Sequence, residues 1–163
     1  MLLEGSCHCG RVRFSVESAE PYPFNRCYCS ICRKTAGGGG YAINLGADNS
    51  TLSTEGREHV REYQPVIVDS ATGVAELSPG RRYFCGYCGS ALWGWDPRWP
   101  ELVHPHASAI DSELPVPPDY THMMLGSKAN WVPVEAGAGD REFDTYPDES
   151  LEQWHRLHGL ESE

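Results

Sequence analysis

The chain has 163 residues, 40% of them hydrophobic, with 17 Gly and 12 Pro. Such numbers fit one turn-rich domain spanning the whole chain, built from short strands rather than a helical bundle. The formal net charge of −10 repels phosphate backbones and anionic membranes, and the basic residues are scattered, so nucleic-acid and membrane partners are both disfavoured.

In chain order, "GSCHCGRVRFSVE" comes first. Val12, Phe14 and Val16 alternate with Arg11, Arg13 and Ser15, which predicts a strand with one buried face. The proline-rich "EPYPFN" leads into "RCYCSICRK". After Gly37 to Gly40, Tyr41, Ile43 and Leu45 alternate as a second strand. Two more short strands are expected in "EHVREYQP" and "PVIVDSATGVAEL", separated by Pro65 and a turn at Ala71-Thr72-Gly73. "RRYFCGYCGSALWGW" reads as strand, tight Cys-x-x-Cys turn and strand. "ELVHPHASAID" and "THMMLGSKANWVPV" carry further strands. A helix is expected only in "DESLEQWHRLHG", capped by Asp148 or Ser150, with Leu151, Trp154 and His158 on one face and Gly159 at its end.

No stretch approaches the roughly 18 apolar residues of a membrane helix. Met1-Leu2-Leu3-Glu4 lacks the basic start of a signal peptide, so a soluble, cytoplasmic protein is expected. Seven cysteines in that setting point to metal or catalysis rather than disulfides.

The cysteines fall into groups. Cys7-x-Cys9 and Cys85-x-x-Cys88 are two close pairs far apart in sequence, the way zinc ribbons are built. Taken together they make one closed, structural four-thiolate site. Cys27, Cys29 and Cys32 then remain as a second site with three protein ligands and an open fourth position, the pattern of a catalytic zinc. Two zinc ions per chain would use every cysteine. A distant histidine closing the second site is the alternative. His8, wedged between two ligands, should point away, whereas His104 and His106 share one face of their strand.

Three thiolates give a zinc centre a net negative charge and a weak Lewis acidity. Another soft thiolate suits its vacant position better than a hydrolytic water, and coordination deprotonates a thiol outright. Making or breaking a carbon–sulfur bond is the chemistry that follows.

At this point "GSCHCGRVRF", "RCYCSICRKTAG", "YFCGYCGSALW" and "THMMLGSKANWVPV" are seen to resemble, in order, the family of glutathione-dependent formaldehyde-activating enzymes and centromere protein V. The resemblance runs from Gly5 to Val134, leaving residues 135–163 as a loop-and-helix extension. It implies an Mss4-like fold of small antiparallel zinc-stabilised sheets. It also implies a structural zinc on Cys7, Cys9, Cys85 and Cys88, and a catalytic zinc on Cys27, Cys29 and Cys32. The family's named activity joins glutathione to formaldehyde, a carbon–sulfur lyase reaction run in reverse. Two departures stand: "QPVIVDSATGVAELSPG" is longer than the usual link, and Asn130 separates Ala129 from Trp131 where the family commonly has proline.

Other residues carry smaller expectations. Arg33, with Lys34 beside it, follows the last thiolate and could meet the carboxylates of glutathione. The four glycines lack the Lys-Ser/Thr of a phosphate loop, so close backbone approach beside the metal is expected. Trp131 is a candidate pocket wall and Trp93 and Trp95 candidate packing residues. His122 and Asp111 are candidates for a proton-shuttling or a structural role.

Overall fold

A computed structural model describes residues 1–69 and 71–160. Among these residues fourteen strands follow one another: β1 Leu2–Ser6, β2 Arg13–Glu17, β3 Phe24–Cys27, β4 Ala42–Asn44, β5 Ala47–Asp48, β6 Ser53–Glu55, β7 Val60–Tyr63, β8 Val66–Val68, β9 Ala75–Leu77, β10 Arg81–Cys85, β11 Ala91–Trp95, β12 Leu102–Pro105, β13 Tyr120–Met123 and β14 Arg141–Glu142. Helix α1, Ser30–Thr35, lies between β3 and β4, and helix α2, Leu151–Leu157, follows β14. The fold is mainly β with a short C-terminal helix, as the sequence predicts.

The strands form four small sheets, ordered β1-β2-β6, β5-β12-β11-β10-β7, β14-β13-β3-β4 and β8-β9. Most pairings are antiparallel. The exception is β13, which runs parallel to both β3 and β14, so the sheet carrying Cys27 is mixed.

The alternation of Val12, Phe14 and Val16 does what it predicts: all three are buried and Arg13 is exposed. β1 has the same two-residue rhythm, with Leu3 fully buried opposite Val16. Its signal is a single leucine and a glycine, too short to read beforehand. Leu45, Leu92, Trp93 and Val103 complete the main core with them. The Trp93 ring meets the edge of Phe14 at 5.1 Å and stacks on Tyr83 at 5.6 Å. Each large side chain so buried contributes on the order of 1.5–3 kcal/mol.

Helix α1 was not expected. It is six residues long, and its N-cap is Cys29, whose sulfur accepts from the backbone N–H of Cys32. A thiolate does there what a Ser or Asp oxygen usually does. α2 starts on Ser150 with a full capping box through Gln153. Its Trp154 is buried, and Gly159 follows with φ +65°.

Two strands do arise from "PVIVDSATGVAEL", but they pair only with each other. Every residue of β8 and β9 is exposed, Val66, Val68 and Leu77 by 57–61%. The hairpin stands out from the fold.

Candidate metal centres and their clefts

The four distant cysteines meet. The sulfurs of Cys7, Cys9, Cys85 and Cys88 all lie within 4.8 Å of one another. Two matching turns make this possible. Gly10 follows the first pair with φ +73° and its N–H returns to the Cys7 carbonyl; Gly89 follows the second with φ +75° and returns to the Cys85 carbonyl. Only glycine takes that backbone without strain. The Cys7 sulfur accepts from the Val12 N–H at 3.2 Å. The hydroxyl of Ser90 leads the contacts that bring Cys88 down to about 5, while burial pushes Cys85 up to about 11. Four sulfurs at this separation, partly held as thiolates by N–H and O–H donors, fit a tetrahedral zinc.

The sulfurs of Cys27, Cys29 and Cys32 form a second group within 4.8 Å. Cys27 ends β3, Cys29 caps α1 and Cys32 lies in its first turn, so a six-residue stretch supplies the whole set. Contact with Cys27, then with Cys32 and backbone N–H donors, pulls Cys29 down to about 2, and Cys29 and Cys32 push Cys27 up. Sulfurs crowded so closely compete for protons, which a bound cation relieves. Three soft donors on one side suit zinc with a free fourth position.

No histidine or carboxylate among the described residues joins this group. His104 turns its Nδ1 to the Leu45 carbonyl at 3.0 Å. His106 is 2% exposed, with Nδ1 unpartnered. His122 is fully buried between Tyr28 and Asp140. The residues that do surround the three sulfurs are Ala42, Met123, Ala36 and Met124, with the Asn44 amide 4.0 Å from the Cys32 sulfur. Met124 has φ +63°, a strained setting for a non-glycine residue, and lies against the cluster.

Two neighbours, one charged and one a neutral phenol, were missed by sequence reasoning. Arg82 helps lower Cys32, whose net direction is upward. Tyr146, 66% exposed over the whole residue, has its phenol pushed up, first by burial and then by Cys27 and Cys29. It comes from the loop before α2, far from the cysteines in sequence, and nothing local marks it.

Arg33 and Lys34 line a cleft of about 430 Å³ together with Gly37, Gly38, Ser90 and Ser108. The Arg33 Nε is buried there without a partner. Two of the four glycines are sterically required: a Cβ on Gly37 would sit 2.2 Å from the Tyr41 carbonyl oxygen, and on Gly40 2.2 Å from Val132 Cγ2. Gly38 and Gly39 face open space. Trp131 is 62% exposed and lines neither this cleft nor the second one beside Arg26. His8 is exposed, and Asp111 accepts from Ser6 at the surface. His155 and His158 are used in packing, on the Tyr22 carbonyl and the Trp154 ring.

A mainly-β scaffold with one cysteine set knitting distant strands and another gathered beside a basic cleft defines a small two-centre cysteine protein. The chain belongs to the family described as glutathione-dependent formaldehyde-activating enzyme, whose profile matches residues 2–127. A protein of Halomonas elongata named "Putative glutathione-dependent formaldehyde-activating enzyme" is 63% identical over 161 residues, 99% of both chains. A crystal structure of a Rhodobacter sphaeroides protein superposes with a TM-score of 0.52 at 27% identity, covering 69% of this chain and 91% of that one. No helix among the described residues is long and apolar enough to cross a membrane.

Proposed function

We propose that the protein is a zinc-dependent enzyme of the carbon–sulfur lyase type, acting on the adduct of a thiol, glutathione, with a small aldehyde such as formaldehyde. The observation that carries this reading is the three-sulfur group with no further Cys, His or carboxylate among the described residues in reach. A zinc ion held by Cys27, Cys29 and Cys32 would supply a fourth position for a substrate thiol and keep that thiol deprotonated. Cys7, Cys9, Cys85 and Cys88 would hold a second, structural zinc.

Around the three-sulfur group the chain's own residues divide the work. Arg33 and Lys34 attract a carboxylate of glutathione into the cleft beside α1. In the forward direction sulfur forms a bond to the carbonyl carbon, the C=O π pair moves to oxygen, and that oxygen takes up a proton to balance the one lost by the thiol. Tyr146 keeps its phenolic proton, pushed up by burial and then by the charge of Cys27 and Cys29. We assign it as the donor of that proton.

The test is native mass spectrometry of the purified protein with and without glutathione, paired with an assay of adduct formation from glutathione and formaldehyde. The reading expects two zinc ions, a glutathione complex, and turnover. Cys29→Ser should keep the fold and one zinc while losing the complex and the activity. Retained turnover in Cys29→Ser would overturn the mechanism. Two zinc ions with no adduct and no turnover would point instead to a non-catalytic binding or carrier module.

A further inference from the structure

A second cleft, of about 570 Å³, is lined by Arg26, Tyr28, Tyr41, Tyr120, Val132 and Glu135. It opens on the face of the sheet opposite the Cys27 side chain. Successive residues of a strand point to opposite faces, so Arg26 turns away from Cys27, towards Tyr120 of β13. Its volume is within the usual range of small-molecule sites.

Arg26 is the unusual member. Its guanidinium carbon lies 3.5 Å over the Tyr120 ring and 5.3 Å from the centre of Tyr41. Stacking on a ring leaves the edge of the guanidinium facing outwards; the Tyr28 hydroxyl meets part of that edge, and the rest can grip a carboxylate. The Arg26 Nε on that edge is buried without a partner. No ion pair to Arg26 exists among the described residues. Asp140 also lines the cleft, but both its oxygens are engaged: the Tyr120 N–H donates to Oδ1 at 2.8 Å, and the Gly137 N–H and His122 Nε2 to Oδ2, each at 3.0 Å. A free acidic group remains only at the rim, where Glu135 is exposed.

Arg26 on the floor and exposed Glu135 at the rim bring one charge of each sign to the same cleft, as the two charges of an amino-acid head group require. We propose that this cleft binds a zwitterionic α-amino-acid head group, its carboxylate on Arg26 and its ammonium towards Glu135. Two sources share that chemistry. One is the γ-glutamyl end of the thiol, which rests on the proposed function; the other is a free amino acid, which does not.

Calorimetric titration of the metal-loaded protein decides between them, with S-methylglutathione, its N-acetyl derivative and L-glutamate as probes. The methyl thioether offers no thiolate, so failure of the metal chemistry leaves this test intact. S-methylglutathione should bind the wild type, and Arg26→Gln should weaken binding by about tenfold or more, the loss expected of a charge-assisted fork. Glu135→Gln should weaken it roughly threefold, as suits an exposed rim charge. Acetylating the amine should do the same. L-glutamate binding in an Arg26-dependent way while S-methylglutathione does not would keep the site and assign it to a free amino acid. Should Arg26→Gln fail to fold, as judged by circular dichroism and metal content, Glu135→Gln and the acetylated probe decide. Neither probe binding the wild type, or binding indifferent to these changes, overturns the proposal.

Discussion

Tyr28 donates its hydroxyl hydrogen to Nδ1 of His122 across 2.8 Å, with the two rings stacked at 5.8 Å. Nδ1 can accept because Nε2–H donates to Asp140 at 3.0 Å. Burial alone would raise the Asp140 carboxyl; the His122 bond and two backbone N–H donors outweigh it and hold it low. The relay joins the segment between Cys27 and Cys29 to β13 and to the chain entering β14. Tyr28→Phe leaves a buried ring nitrogen unpaired, and should cost about 1–3 kcal/mol in denaturant unfolding. Unchanged stability would mean that the bond is not made in solution.

Cys88→Ser should be far more damaging than Cys29→Ser. Its site ties the loop after β1 to the turn between β10 and β11, and a structural zinc can supply most of a small domain's stability. The expected result is loss of cooperative unfolding and of one metal ion. A well-folded Cys88→Ser chain retaining both metals would refute the assignment of that site.

Tyr146→Phe removes only the proton-bearing oxygen. In the proposed reaction it should lower kcat by roughly a hundredfold, the lower end of general acid catalysis, with metal content unchanged. A wild-type kcat in this variant removes Tyr146 from the mechanism.

Gly40→Ala and Gly39→Ala separate the two kinds of glycine in the run. At Gly40 the backbone has φ +96° and the new methyl meets buried Val132, so a loss of about 2–4 kcal/mol is expected. At Gly39 nothing stands within 4 Å, and the melting temperature should hardly move. Equal effects at both positions would contradict the packing described.

His106 predicts an acid-sensitive stability. Burial, then the charge of Arg82, pushes its imidazole down to about 3 from an ordinary 6.5. The folded state therefore resists a proton that the unfolded chain accepts. The contribution is complete above about pH 6.5 and shrinks as pH falls towards 3, by about 1.4 kcal/mol per pH unit. His106→Gln should remove about 2 kcal/mol of the wild-type loss between pH 6.5 and 5. Identical pH slopes for the two proteins would show that His106 is not buried as neutral imidazole.

Much of this architecture is readable from the chain, because metal ligands must obey a fixed geometry. Spacings of one and two residues between Cys7 and Cys9, and between Cys85 and Cys88, mark two turns able to share an ion. Val12, Phe14 and Val16 announce their strand by period. What stays hidden is tertiary. Asp140 reaches His122 from eighteen positions away, and Tyr28 from ninety-four. Arg26 reads as one more charge until Tyr41 and Tyr120 close around it. Helix α1 escapes notice because six residues leave little periodicity and its cap is a sulfur. The apolar run of Val66 to Val68 marks a strand but not its burial: it lies on an exposed hairpin, since pattern alone does not say what covers a strand.

The two cysteine sets differ in how much chain each must wait for. The three-sulfur set is complete once residues 27 to 32 have been made, and closing so short a loop costs little entropy. The four-sulfur set requires Cys7 and Cys9 to remain reduced and unclaimed until Cys88 has emerged. Synthesis runs at about 5–20 residues per second. For several seconds, then, the nascent chain offers a finished local cysteine set beside an unfinished long-range one. Were both sets to take metal as proposed, its supply during synthesis, and not only the strength of the finished sites, would bear on how each is filled.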